Sequence, residues 1–398
     1  MNRRAFRSPR RPLLVALLTG VLLAGGTPPA LADAIRDQQR WALDFVNAPA
    51  AWQTTRGAGV TVAVLDTGVD ASHPDLYGAV LEGADLVDEG ARPGDPEWAR
   101  HGTAMAAIIA GRGHGPDAGS GVIGIAPEAM VLPVRVLLEE DDPARADHRR
   151  REGSTVAEGI RWAVDNGADI VNLSLGDDSP TAHPDPAEDA AIRYALDNGV
   201  VVVASAGNGG EDGDPVSYPA GYPGVIAVTA ADRTGARAPF STRRWYATVS
   251  APGKDVVIAS PGGRYLHGWG TSAAAAFVSG AVALVRAAHP ELDPAQIRRL
   301  LVDTAGGGAG TGRDDELGAG VVDPAAAIAA ANAAEPEAGV EASGTYPREY
   351  FGPGPRPAPE DPLPAPWLAP AAAAVGGVLL AFAALLFRRL RPAAPPPS

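Results

Sequence analysis

The chain has 398 residues, no cysteine, 33 Lys+Arg against 47 Asp+Glu, and a formal charge of −14. Disulfide frameworks, thiol nucleophiles and thiolate metal sites are therefore excluded. An acidic chain whose only lysine is Lys254, with no basic stripe, does not suit nucleic acid as a partner.

In chain order, residues 1–32 read as an export signal. Arg3, Arg4, Arg7, Arg10 and Arg11 form a basic head, Leu13 to Ala24 an apolar core, and Ala30-Leu31-Ala32 a small-x-small cleavage site. Arg3-Arg4 with Phe6 resembles a twin-arginine signal, but Arg7 breaks that pattern and the general route is favoured. Cleavage there removes five arginines and no acid, which takes the charge from −14 to −19. Residues 33–57 form a polar N-terminal extension with Trp41 and Trp52, suited to pack along a domain like a strap and too short for a folded inhibitory propeptide.

Gly59 to Leu65 is a near-continuous β-branched run, as in a strand buried on both faces, and it ends at Asp66-Thr67-Gly68. Helices are then expected at about 101–110, 154–166 and 186–197, with strands at 130–136, 169–174, 199–204 and 224–230. The apolar run Ala273 to Ala288 reads as a buried helix. Such alternation predicts a parallel sheet with helices on both faces. Its active site would lie at the carboxyl ends of the strands, where Asp66, Ser174 and Asn208 fall.

Past a 58–331 domain, residues 332–366 hold nine prolines and read as a stiff spacer. Residues 367–387 are 21 residues without a charge, closed by Arg388-Arg389-Leu390-Arg391. That pattern predicts one membrane-spanning helix with a cytoplasmic tail, 388–398, and an extracytoplasmic domain.

The chemistry rests on four short stretches. Ser272, in Gly270-Thr271-Ser272, stands at a helix start, where a serine is either a cap or a nucleophile. His101 opens a helix of small residues, and none of the seven histidines has metal-ligand spacing. Asp-Thr-Gly at Asp66 alone would also fit an aspartic protease, but that chemistry needs a second carboxylate from a second copy, which is absent. Asn208 follows Val200 to Val203 in a Gly-rich turn. Gly119-Ser120-Gly121-Val122-Ile123-Gly124 matches a dinucleotide fingerprint by letter, but a helix precedes it and a strand follows, so it is read as a tight turn.

Asp66-Thr67-Gly68, His73-Pro74-Asp75-Leu76, His101-Gly102-Thr103, Ser174-Leu175-Gly176, Gly207-Asn208 and Gly270-Thr271-Ser272 together resemble the blocks of the subtilisin-like (S8) serine proteases over about residues 40–330. The resemblance implies a three-layer α/β/α fold with a mostly parallel central sheet. It also implies a catalytic Asp66, His101 and Ser272, with Asn208 in the oxyanion hole. Ser174, Leu175 and Gly176 would pair with an extended polypeptide substrate.

Within that family, Ala51 to Gly57, Phe277-Val278-Ser279-Gly280, the spacer and the terminal helix are similar to the mycosins, membrane-anchored proteases associated with type VII secretion. The chain departs from them in having no disulfides, in Ala273 where a bulky residue is usual, and in Ala276 where proline is common. No cofactor is expected. Structural calcium is common in such folds, but no ligand set for it is legible here. Glu139-Glu140-Asp141-Asp142 with His148 to Arg151 reads as a solvated insertion, a docking or autocleavage loop being the sharper alternative. Two functions fit: an extracytoplasmic endopeptidase, or a structural component of a membrane secretion complex whose protease activity is dispensable.

Overall fold

The computed structural model describes residues 34–333 apart from 97, 150–151, 180–181 and 307–311. The signal at 1–32, the spacer from 334 on, the 367–387 helix and the tail lie outside the described residues. In chain order the elements are α1 (Ala34–Phe45), α2 (Ala48–Ala51), β1 (Thr61–Asp66), β2 (Ala84–Asp85), α3 (Arg100–Ala110), β3 (Arg112–His114), β4 (Ser120–Ile123) and β5 (Met130–Arg135). There follow α4 (Arg145–His148), α5 (Glu152–Asp165), β6 (Ile170–Leu173), α6 (Pro186–Asp197), β7 (Val201–Ser205), β8 (Ile226–Ala231) and β9 (Ala247–Pro252). Last come the hairpin β10 (Val256–Ser260) and β11 (Arg264–Gly268), then α7 (Thr271–Ala288), α8 (Pro294–Thr304) and α9 (Pro324–Ala333).

Seven strands form one sheet in the order β2-β5-β1-β6-β7-β8-β9, and each pairing is parallel. Side chains alternate across a strand. Val62 and Val64 of β1 therefore enter one core, shared with α1, α3 and α7, while Ala63 and Leu65 enter the other, shared with α5 and α6. The layered α/β arrangement expected from the sequence is the one observed. The sheet ends align so that Asp66, Ser174 and Asn208 lie at or just past the last residues of β1, β6 and β7.

Helix α7 is apolar on every side because it runs through the interior. It packs across β6, β7, β8 and β9 and beside α3, and Ala273 to Leu284 are buried without a break. Among the described residues it is the one helix long and apolar enough to cross a membrane, and its burial marks it as a core helix instead. One polar residue inside it, Ser279, is satisfied by donating to Asn172 Oδ1 of β6 at 2.9 Å.

Two local expectations need correction, and a third is made specific. Ser120 to Ile123 is not a turn but strand β4, paired antiparallel with β3, and the turn is confined to the residues before it. The 34–57 extension does pack along the domain, and it does so as the helices α1 and α2, with Leu43, Val46 and Ala51 in the main core. The acidic insertion is not simply solvated: Asp142 is 4% exposed and accepts from the Ala91 and Ala144 N–H groups, and His148 is fully buried against the Val136 carbonyl at 2.9 Å.

Candidate active site

Asp66, the last residue of β1, is fully buried and accepts from the Thr67 N–H at 2.7 Å. Its two oxygens each stand 2.9 Å from His101 Nδ1. An ionised carboxylate can only accept, so Nδ1 carries the proton and donates, which leaves Nε2 for a second partner. Burial works against a charged imidazole here, but the Asp66 carboxylate, helped by Glu139 and Glu140, outweighs it and the His101 pKa is pushed up to about 9. Gly102 explains how the two elements approach: a Cβ there would collide with the Gly68 carbonyl oxygen and press on the Asp66 Cβ at 3.1 Å. The small residue after the histidine thus lets α3 lie against the end of β1.

Ser272 is not the cap of α7. Gly270 holds that position with φ +135°, a conformation costly to other residues, and Ser272 is the second helical residue. Its hydroxyl donates to the Ser174 carbonyl at 3.1 Å, while Ser174 Oγ donates to the Ser272 carbonyl at 2.9 Å. Beneath this reciprocal clasp, Asn172 Nδ2 donates to Ser174 Oγ at 3.0 Å. Asn208 is exposed beside it, and its Oδ1 accepts from the Thr271 N–H at 2.9 Å and the Thr271 hydroxyl at 3.0 Å. A backbone N–H must face the amide oxygen, so the Asn208 NH₂ is the end left to donate.

His101 and Ser272 line one cavity of about 270 Å³, with Arg100, Glu139, Leu266 and Trp269 among its other walls. The structure thus brings Asp66 to His101, His101 and Ser272 to one cavity, and Ser174 and Asn208 to the N-terminal turn of α7. Leu175 packs with the second core, Gly176 is exposed, and both lie off the cavity wall.

Sequence reasoning missed four supports. Thr67 Oγ1 accepts from the Gly102 N–H at 3.1 Å, Thr271 orients Asn208, Asn172 anchors Ser174, and Glu139 receives the His101 N–H at 2.8 Å. The first two lie inside the recognised blocks. Nothing in the local sequence of Asn172 or Glu139 marks them. Among the described residues no group of three or more His, Asp or Glu is arranged to hold a metal ion.

The family described as Peptidase_S8, the subtilase family, matches residues 57–320. Fervidolysin of Fervidobacterium pennivorans is 36% identical over 332 residues, 75% of this chain; the match spans about half of fervidolysin's own length, 46%. Subtilisin BL of Lederbergia lenta is 38% identical over 72% of this chain and 97% of its own. Among solved structures, MycP1 from the ESX-1 type VII secretion system superposes with a TM-score of 0.62 at 32% identity, covering 72% of this chain and 85% of that one.

Proposed function

We propose, from the premise that this chain belongs to the subtilase family, that it is a serine endopeptidase acting through Asp66, His101 and Ser272. The observation that carries this reading is the buried Asp66 carboxylate fixing His101 Nδ1 in a cavity that Ser272 shares. A hydroxyl is a weak nucleophile until a base accepts its proton. In this structure the Ser272 hydroxyl is bonded to the Ser174 carbonyl; in the reaction it would leave that partner for His101 Nε2 across the cavity the two residues share. As Oγ bonds to the scissile carbonyl carbon, Nε2 takes the hydroxyl proton and the Asp66 charge stabilises the resulting imidazolium.

The carbonyl oxygen becomes an oxyanion, received by the Ser272 N–H and the Asn208 NH₂. Collapse breaks the C–N bond, and the imidazolium hands its proton to the leaving amine. Water then repeats the sequence on the acyl-enzyme. The Ser174–Gly176 segment is the proposed edge for an extended substrate.

A fluorophosphonate probe is expected to label the protein, and Ser272→Ala to abolish the label. Asn208→Ala is expected to lower turnover about 10²–10³-fold, a magnitude known for such a donor in this family rather than derived from this structure. Labelling that survives Ser272→Ala would sink the reading.

We also propose that the protease is exported, anchored by residues 367–387 and associated with a type VII secretion complex. The support is the uncharged stretch with its basic stop and the likeness to MycP1 and to MycP3, whose structure is described as coming from the type VII (ESX-3) system. The same likeness keeps the scaffold reading in view, since fold and anchor alone would serve it.

A further inference from the structure

Helix α3 carries the imidazole but has no cap of its own. Ala99, at its N-cap, offers no polar side chain and sits in a left-handed conformation, φ 52°. The first N–H groups of a helix have no partner within it. Here Thr67 takes that of Gly102 and Glu139 Oε1 that of His101 at 2.8 Å, and the helix's own bonds begin with the Thr103 N–H to the Ala99 carbonyl at 3.1 Å. Glu139 comes from the acidic loop beyond β5, and its side chain is 11% exposed. Its Oε2 lies 4.0 Å from Arg100, whose guanidinium also pairs with Asp141. Both His101 and the residue before it are therefore held by a loop 38 residues away in sequence.

We infer that Glu139 is a positioning residue for the catalytic base: its carboxylate accepts the His101 N–H and, with Arg100 beside it, seats the first turn of α3. This rests on the reading of His101 as the base. The other charged groups acting on the ring are Asp66 at Nδ1 and Glu140 from the same loop, while Arg100 of α3 lines the same cavity and pairs with Asp141. A carboxylate at a helix N-terminus is favoured in itself, so hydrogen bond and charge act together and can be separated by substitution. Glu139→Gln keeps an oxygen for the N–H and removes the charge. Glu139→Ala removes both.

The test follows the full-length protein, wild type and both variants, by the NMR titration of the His101 ring and by the pH profile of kcat/KM on a peptide. Glu139→Gln is expected to keep the alkaline plateau of kcat/KM within about threefold of wild type and to lower the ring midpoint only slightly, since Asp66 remains the main charge that holds it up. Glu139→Ala is expected to lower the midpoint and also to cut the plateau roughly tenfold or more, since small misplacements of a catalytic group cost that much. An Ala plateau equal to that of wild type, or a Gln plateau as low as that of Ala, overturns the inference. If Glu139→Ala does not fold, Glu139→Asp takes its place: its shorter side chain draws the carboxylate back from the His101 N–H while keeping the charge, and the same loss of plateau is expected. Failure of the protease reading shows as absent fluorophosphonate labelling in the wild type, whereas failure of the role of Glu139 shows as unchanged plateaus in a protein that labels.

Discussion

At the scale of the residue, the site is a problem of one proton. His101 is held at about 9, above the ordinary 6.5, because Asp66 stabilises the imidazolium more than burial penalises it. The side chain is 36% exposed, and solvent screening should place the measured midpoint between these two values. The base must be neutral to accept the Ser272 proton, so kcat/KM is expected to rise as pH climbs through that window. Stability runs the other way. A group whose pKa is raised by folding stabilises the fold fully below pH 6.5 and loses that contribution as pH passes its folded value.

The thermal midpoint should therefore decline across the window in which activity grows. Asp66→Asn should lower kcat about 10⁴-fold, since the amide no longer fixes the tautomer, and should flatten this part of the stability curve. An activity limb centred at or below pH 6.5 in the wild type would contradict the pairing. Of the residues given roles by resemblance, Asp66, His101, Asn208 and Ser272 could be picked out because each stands in a short block of its own. Glu139 was not, because its partner, a helix N-terminus 38 residues earlier, is set by tertiary approach; Asn172 was not, because its bond to Ser174 matters to the site only once Ser174 meets Ser272, 98 residues later.

At the scale of the element, strands and helices could be read closely because burial on both faces imposes continuous apolar runs. Val201 to Ala204 enters both cores in strict alternation. The extension at 34–57 was harder, since its polar composition conceals a narrow apolar face. Gln39, 3% exposed, donates to the Ile123 carbonyl at 2.7 Å and accepts from the Ile123 N–H at 2.9 Å, so α1 is stitched to β4. Trp52 Nε1 donates to the Ile125 carbonyl at 2.7 Å.

Burying side chains the size of Leu43 and Val46 contributes about 1.5–3 kcal/mol each, a large part of a stability of about 5–15 kcal/mol. The extension is therefore expected to behave as part of the domain. Gln39→Ala leaves a buried N–H and carbonyl of Ile123 without their partner, which should cost about 1–3 kcal/mol and lower the urea midpoint at constant slope. A midpoint equal to wild type would show that α1 is an appendage after all.

At the scale of the molecule, each group given a chemical role lies within the described 34–333 part, while the sequence features that argue for membrane attachment lie after it. The two should therefore be separable. An uncharged 21-residue stretch followed by three arginines within four positions suits a bilayer anchor, but it supplies no group to the relay. Deleting 367–398 is expected to move the protein from the membrane fraction to the soluble fraction with kcat/KM on a short peptide within about twofold of the full chain. Ser272→Ala should do the opposite, remaining with membranes and losing turnover. The pair also decides between the two functional readings: secretion that survives Ser272→Ala and stops on deletion of 367–398 would make the domain a scaffold, whereas secretion substrates left uncleaved by Ser272→Ala would make proteolysis its work. Equal membrane retention with and without 367–398 would remove the anchor from the account and leave the relay untouched.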